Sequence, residues 1–245
     1  KKTPNFSMDI PRDIRDGEEF SLEKLKKYLS ENSISNENLS LKQFPSGYSN
    51  LTYFLESSSK QFVLRRPPFG AKSLQGGHDM LREYNVLKNL KSQFSKVPDV
   101  FLYCENDDIL GAPFYLMERV EGYIIRPNLQ QKDSPGSDII QNVSKSLVST
   151  LVELHNVNIE QANLKDLGNI NGYVKRQVEG WIKRYNHSKT DTIVNMDFIS
   201  SWLYENQPSE VGRSIVHTYF KYDNLVLDKD DFSKISAVLA WEMAT

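Results

Sequence analysis

Apolar residues alternate with polar ones along the first half of the chain and recur every three or four positions along the second. In LSLKQFPSGYSNLTYFLESSSKQFVLRRP (39–67) the alternation has a period of two and is broken at PSGYSN and SSSK, which predicts three consecutive antiparallel strands. Ahead of them, Ser21 is placed to cap a helix, SLEKLKKYLSEN, in which Leu22, Leu25 and Leu29 form a docking face and the lysines stay in water. After the irregular segment PPFGAKSLQGG, the stretch HDMLREYNVLKNLKSQF repeats Met80, Tyr84, Leu87, Lys91 and Phe94 at helical spacing. At about 100° per residue Glu83 falls between Leu87 and Leu90, on the side that is to be buried. A carboxylate there requires a cation.

Two more strands are predicted in VPDVFLYC and APFYLMERV, the second ending at a hinge, Glu121–Gly122. Beyond it the period lengthens. Ile140, Val143, Leu147, Leu151 and Leu154 share one long helical face, and further helices are expected in GYVKRQVEGWIKRY and MDFISSWLYEN with their aromatic residues toward the core. A last strand is read in ISAVLAWE. A strand-rich half joined by a short segment to a helix-rich half predicts an α+β chain of two lobes, 1–120 and 121–245, with a cleft between them where ligands usually bind.

Composition changes this picture little. The 245 residues are 39% hydrophobic, enough for a sizeable core, and 30 Lys and Arg nearly balance 32 Asp and Glu, so no global field recruits nucleic acid or an acidic membrane surface. No apolar run reaches the length of a membrane span, and the basic start KKTPNFSMDIPRDIRD lacks the apolar core of a secretory signal. Cys104 is the only cysteine, which excludes an internal disulfide and points to a cytoplasmic location. His78, His155, His187 and His217 lie in separate segments, without zinc-ligand spacing.

The chemistry concentrates near the end, in SIVHTYFKYDNLVL and, a dozen residues later, AVLAWE. Together with the order of the preceding elements, these segments resemble the aminoglycoside phosphotransferase family, relatives of the protein kinases, over roughly 41–242. They resemble in particular the subgroup that is also similar to the kinase-like part of some acyl-CoA dehydrogenase fusion proteins. In that family the loop reads HGDxxxxN, and a DxE or DFG-like carboxylate follows on a neighbouring strand. The resemblance implies a two-lobed kinase-like fold, an N-terminal antiparallel sheet plus helix and a mainly helical C-terminal lobe. It further implies ATP or another nucleoside triphosphate, magnesium, and a small hydroxyl-bearing acceptor.

Carried over position by position, the resemblance gives Ser46 and Gly47 to a turn over the phosphates, although a plain hairpin accounts for the same letters. Arg65 becomes the phosphate-contacting cation, with Glu83 as its partner, while Arg66 points to the opposite face of the strand by alternation. Backbone groups around Met117, Glu118 and Val120 would meet an adenine edge. His217 props the loop, Asn224 matches a metal-coordinating asparagine, and Asp223 supports the loop.

Two seats are changed. Tyr219 stands where the general-base aspartate is expected, and Ala240 where the metal-binding aspartate is expected. A phenol that titrates near ~10 is a poor base at neutral pH, and losing general-base help costs roughly 10² to 10⁴ in rate. A methyl group gives a hard cation no oxygen. Thr218 stands at the family's glycine. Glu242, two residues beyond Ala240, would face the same side of an extended strand about 6 to 7 Å further along and is the remaining acidic candidate for a metal. The expectation is an impaired small-molecule kinase scaffold. The alternatives are an active enzyme rewired through Asp223 or Glu242, and a binding or scaffold module without chemistry. The family's last helices would follow Thr245, so the C-terminal lobe is expected to be incomplete.

Overall fold

The computed structural model describes residues 10–35, 38–45, 49–70, 78–126, 136–169 and 171–245. Strands β1 (Ser40–Gln43), β2 (Leu51–Glu56), β3 (Gln61–Arg66), β4 (Val100–Cys104) and β5 (Phe114–Glu118) form one sheet in the order β1-β2-β3-β5-β4, every neighbour antiparallel. The chain is α+β, as its patterning predicts.

Strand alternation gives this sheet two working faces. Leu51, Tyr53 and Leu55 of β2, Phe62 and Leu64 of β3, and Phe114 and Leu116 of β5 meet Leu25 and Leu29 of helix α1 (Leu22–Glu31) in one buried cluster. Ser21 caps α1 by accepting from the Lys24 amide, and each fully buried leucine contributes about 1.5–3 kcal/mol. Arg66 belongs to this face. Its guanidinium is buried, donates to the carbonyl oxygens of Pro67 and Leu110 at the end of helix α3 (Asp107–Leu110), and lies 3.6 Å from the Phe69 ring centre. Helix α2 (Met80–Leu90) covers the other face, where Tyr84 packs on Tyr103 and Tyr115. Asp79 caps α2 through the Arg82 amide.

Past β5 the chain runs directly against a two-stranded ribbon, β6 (Leu225–Leu227) and β7 (Ile235–Val238). Tyr123 and Leu227 exchange backbone hydrogen bonds of 3.0 and 2.8 Å, which brings Gly122 into contact with β6. A Cβ at Gly122 would sit 2.1 Å from the Leu227 carbonyl oxygen, so the hinge glycine answers a close backbone approach. Helix α4 (Ser137–His155) packs beside β7 and buries Val143, Thr150 and Leu154. Ile140, Leu147 and Leu151 of its predicted face are only half-buried.

The packing divides the chain into two compact units, residues 1–164 with 215–245, and residues 165–214. In the second, α5 (Tyr173–Ser188) and α6 (Met196–Glu205) contact each other, yet neither helix buries a residue. The expectation that their aromatic residues face a core is therefore corrected: Trp181 is 62%, Phe198 69% and Trp202 52% exposed. Spacing says which residues share a helical face; it does not say that anything covers that face.

Gly122→Ala is expected to destabilise the chain by about 1–3 kcal/mol or more, because the Leu227 carbonyl and the Val226 side chain of β6 must give way. Gly212→Ala, where an added Cβ meets nothing within 4 Å, should stay within about 0.5 kcal/mol in the same urea titration.

Candidate active site

Register assembles the first part of the site. In β3 the alternation that sends Arg66 to the α1 face turns Arg65 toward α2, and pairing with β5 sets Arg65 directly opposite Tyr115. From α2 comes Glu83, 1% exposed on the apolar stripe. Arg65 Nη1 donates to Glu83 Oε1 at 2.6 Å, and the backbone N–H of Trp241 donates to the same oxygen at 3.2 Å. On its other side Arg65 Nη2 lies 3.6 Å from Glu242 Oε2, an ion pair too long for a hydrogen bond. One cation thus stands between two buried carboxylates.

The electrostatics follow from that count. Burial disfavours the Arg65 cation, but Glu83, then Tyr115 and Glu242, outweigh it and hold the guanidinium protonated. Burial pushes Glu83 up to about 7, against the pull of Arg65 and with the help of Glu242. The Tyr115 hydroxyl neighbours both side chains without reaching hydrogen-bond geometry, and burial followed by the Glu83 charge keeps it a phenol.

The second part of the site is the loop after Ile215. His217 is buried, donates from Nε2 to the Leu239 carbonyl at 2.9 Å, and stacks edge-on against Trp241 at 4.5 Å between centres. Burial lowers its pKa to about 4, against the Leu239 carbonyl and the Glu242 charge, so it is a neutral strut. Leu239 in turn donates its N–H to the Asn224 carbonyl, and Asn224 Nδ2 donates to the Tyr219 carbonyl at 2.8 Å. These bonds bring the backbone of Tyr219, Asn224 and Ala240 to one locus. Thr218 and Ala240 sit there at φ 74° and 67°, in the left-handed region that glycine, asparagine and aspartate tolerate best. Thr218 Oγ1 donates to the Met243 carbonyl, and Val216 and Thr245 exchange backbone bonds, so the turn is held from both sides.

Strand β7 ends at Val238, and this corrects the reading of Glu242. With Ala240 at positive φ, strand alternation no longer applies, and Glu242 goes to Arg65. Asp223, the other candidate substitute, pairs with Lys221 at 3.1 Å, while its carbonyl accepts from Arg126. The Tyr219 side chain is 45% exposed. Met117 is part of β5, paired with Val63 and Val100, and the Glu118 N–H donates to Asp99; Val120, past the strand, packs on Ile124, Val226 and Ala237. Ser46 and Gly47 lie outside the described residues.

The side chains present do not make up a magnesium site: Ala240 offers no side-chain oxygen, Glu242 stands against the Arg65 cation, and Asn224, whose Nδ2 donates to the Tyr219 carbonyl, is left with one neutral oxygen to offer. Among the described residues no group of three or more His, Cys, Asp or Glu is arranged to hold a metal ion.

Comparison with known proteins bears on this geometry. A family model described as "Phosphotransferase enzyme family" matches residues 40–245. The chain belongs to the phosphotransferase enzyme family. Acyl-CoA dehydrogenase family member 11 of Rattus norvegicus is 38% identical over 249 residues, which cover 98% of this chain and 32% of that protein. A Ralstonia eutropha protein assigned to the aminoglycoside phosphotransferases superposes with a TM-score of 0.77 at 28% identity, covering 93% of this chain and 66% of that one. A thermostable mutant of aminoglycoside phosphotransferase APH(4)-Ia, in ternary complex with ADP and hygromycin B, shares the fold with a TM-score of 0.61 at 16% identity, covering 90% and 72%. The chain therefore spans about a third of the length of this curated relative.

Within this phosphotransferase fold, the patterning missed Tyr115 and Trp241. Tyr115 reaches the site only through the β3–β5 register, and Trp241 through a backbone N–H, which no side-chain pattern encodes.

Two outcomes follow. Arg65→Met should cost about 3–5 kcal/mol by leaving two buried carboxylates uncompensated, and Glu83→Gln clearly less, since the guanidinium keeps Glu242; urea unfolding of each variant measures the order. His217 has a folded-state pKa below its unfolded value, so its contribution is present above pH ~6.5 and is lost as pH falls toward 4, about 3 kcal/mol in all. Glu83, raised to about 7, acts in the opposite sense: its contribution is present at low pH and lost as pH rises through 7. His217→Phe should flatten the fall in stability between pH 7 and 4, whatever its baseline.

Proposed function

We propose that this chain is a nucleotide-cleft member of its family, descended from an ATP-dependent small-molecule kinase, in which phosphoryl transfer is strongly impaired. One observation carries the reading: the loop frame is held by the His217–Leu239–Asn224 bonds, yet the side chains at the two seats that need carboxylates are a phenol and a methyl group. The nucleotide reading rests on Arg65, fixed by Glu83 on the α2 face of the sheet, and on the bound ADP of the APH(4)-Ia structure. In this reading residues 1–120 contribute the nucleotide-binding lobe, with Ser46 and Gly47 over the phosphates and the backbone near Met117, Glu118 and Val120 at the base. Residues 121–245 contribute the loop lobe. The acceptor would be a small hydroxyl-bearing molecule; the APH(4)-Ia neighbour is in ternary complex with ADP and hygromycin B.

The chemistry available is therefore binding and orientation. Arg65 can address anionic oxygens, but the phenol at 219 is a poor acceptor for a hydroxyl proton, and no side-chain oxygen at 240 can hold a cation against the phosphates. A rewired enzyme finds little support, since Asp223 is engaged by Lys221 and Glu242 by Arg65. No helix among the described residues is long and apolar enough to cross a membrane. Our placement in the cytoplasm rests on the single cysteine, Cys104, buried and unpaired.

The paired substitution Tyr219→Asp with Ala240→Asp tests the reading directly. Position 240 already has backbone angles that an aspartate accepts. With magnesium present, the double variant should turn over ATP at least about 10²-fold faster than the parent chain. Turnover by the parent that is abolished by Asp223→Ala or Glu242→Ala would overturn it.

A further inference from the structure

The nucleotide reading leaves Glu242 without a role, and its position supplies one. Arg65 is 8% exposed and carries two unequal partners. Glu83 holds Nη1 at 2.6 Å with a hydrogen bond, and the Trp241 N–H helps fix that carboxylate. Glu242 stands 3.6 Å from Nη2 without a hydrogen bond, and its Oε2, like Arg65 Nε, is buried with no hydrogen-bond partner. The first contact is a fixed brace. The second is loose, and it occupies the side of the guanidinium that Glu83 leaves open.

We infer that Glu242 is a specificity-determining residue of the cleft, an internal carboxylate that competes with phosphate oxygens for Arg65, so that the site prefers a nucleoside or nucleoside monophosphate to a triphosphate. The inference rests on the nucleotide-cleft reading. Its physics is competition for one face of the guanidinium. Glu242 stands on the guanidinium side that Glu83 leaves open, so an incoming anion meets a carboxylate there before it meets the cation, and among the described residues no group of three or more His, Cys, Asp or Glu is arranged to hold an offsetting metal ion. Each added phosphate brings more negative charge to a low-dielectric locus where like charges repel strongly. A phosphate oxygen can reach Nη2 only by displacing Glu242, which would then be left buried beside the ligand's own charge. A neutral ribose and base meet no such cost. Glu242 thereby acts on the ligand through Arg65 as well as by direct repulsion, and it needs no chemistry of its own.

The test is a calorimetric titration of the full chain with adenosine, AMP, ADP and ATP in the presence of EDTA, repeated on Glu242→Gln and on Glu242→Gln with Arg65→Met. For the parent chain, affinity should fall from adenosine to ATP. Glu242→Gln should bind ATP at least about tenfold more tightly, a shift of about 1.4 kcal/mol, with adenosine unchanged. The gain should vanish when Arg65 is also replaced. If the unmodified chain binds ATP more tightly than adenosine, the inference is wrong, and that measurement needs no variant to fold. It is equally wrong if adenosine binds but Glu242→Gln leaves ATP unchanged or weakens it; the nucleotide reading then survives. No binding of any of the four by parent or variant removes the cleft reading and the inference together.

Discussion

The buried guanidinium of Arg65 ties three distant pieces of chain to one point: strand β3, helix α2 through Glu83, and the segment after β7 through Glu242. Burying an ion pair is expensive, and replacing such a pair by apolar side chains is often neutral or stabilising. Its value in this fold is positional. Glu83 Oε1 accepts from both Arg65 and the Trp241 N–H, so α2 cannot rotate or slide along the sheet without releasing the segment that carries Ala240, Trp241 and Glu242. Arg65 Nε, Glu83 Oε2, the Tyr115 hydroxyl and Glu242 Oε2 are buried at this centre without a hydrogen-bond partner, which marks it as a costly cluster that geometry alone holds together.

Around this point the loop from His217 to Asn224 is held in an unusual backbone conformation. Thr218 is β-branched and Ala240 has a Cβ, and both sit in the left-handed region, where such residues are strained by about 1–3 kcal/mol each. Strain of that size persists only when the surroundings over-determine the backbone. They do: the buried His217 ring spans to Leu239, Leu239 bonds to Asn224, Thr218 Oγ1 reaches Met243, and Val216 pairs with Thr245. The conformation suits glycine at 218 and aspartate, asparagine or glycine at 240. A frame shaped for one set of side chains and filled by another connects the fold, which the comparisons establish, with the altered chemistry proposed for it.

Membership in the phosphotransferase family and a superposition at 28% identity settle the architecture over most of the chain. Similarity to acyl-CoA dehydrogenase family member 11 covers less than a third of that protein, so it speaks to this kinase-like portion alone. The second compact unit, α5 with α6, shows the limits of a local view. Its helices are amphipathic and its aromatic residues share faces, yet Trp181, Phe198 and Trp202 stand in solvent. Cation contact from Arg184 over the Trp181 ring is what that face has in place of a core.

What the amino-acid sequence determined by itself was everything set by periodicity and by local chemistry. The period of two gave β2 and β3 their faces, the period of 3.6 placed Leu25 and Leu29 under the sheet and Glu83 on a buried stripe, and Ser21 announced the start of α1. Residue identities at 219 and 240 were legible for the same reason, since the absence of a carboxylate needs no coordinates. The tertiary structure alone decided which strangers meet. Tyr115 reaches Arg65 through the β3–β5 register, Trp241 reaches Glu83 across 158 positions through a backbone N–H, and a positive φ at Ala240 turns Glu242 from a strand neighbour into a partner of Arg65. Periodicity encodes the direction in which a side chain leaves its own element; register, long-range hydrogen bonds and the burial of a face depend on where every other element lies.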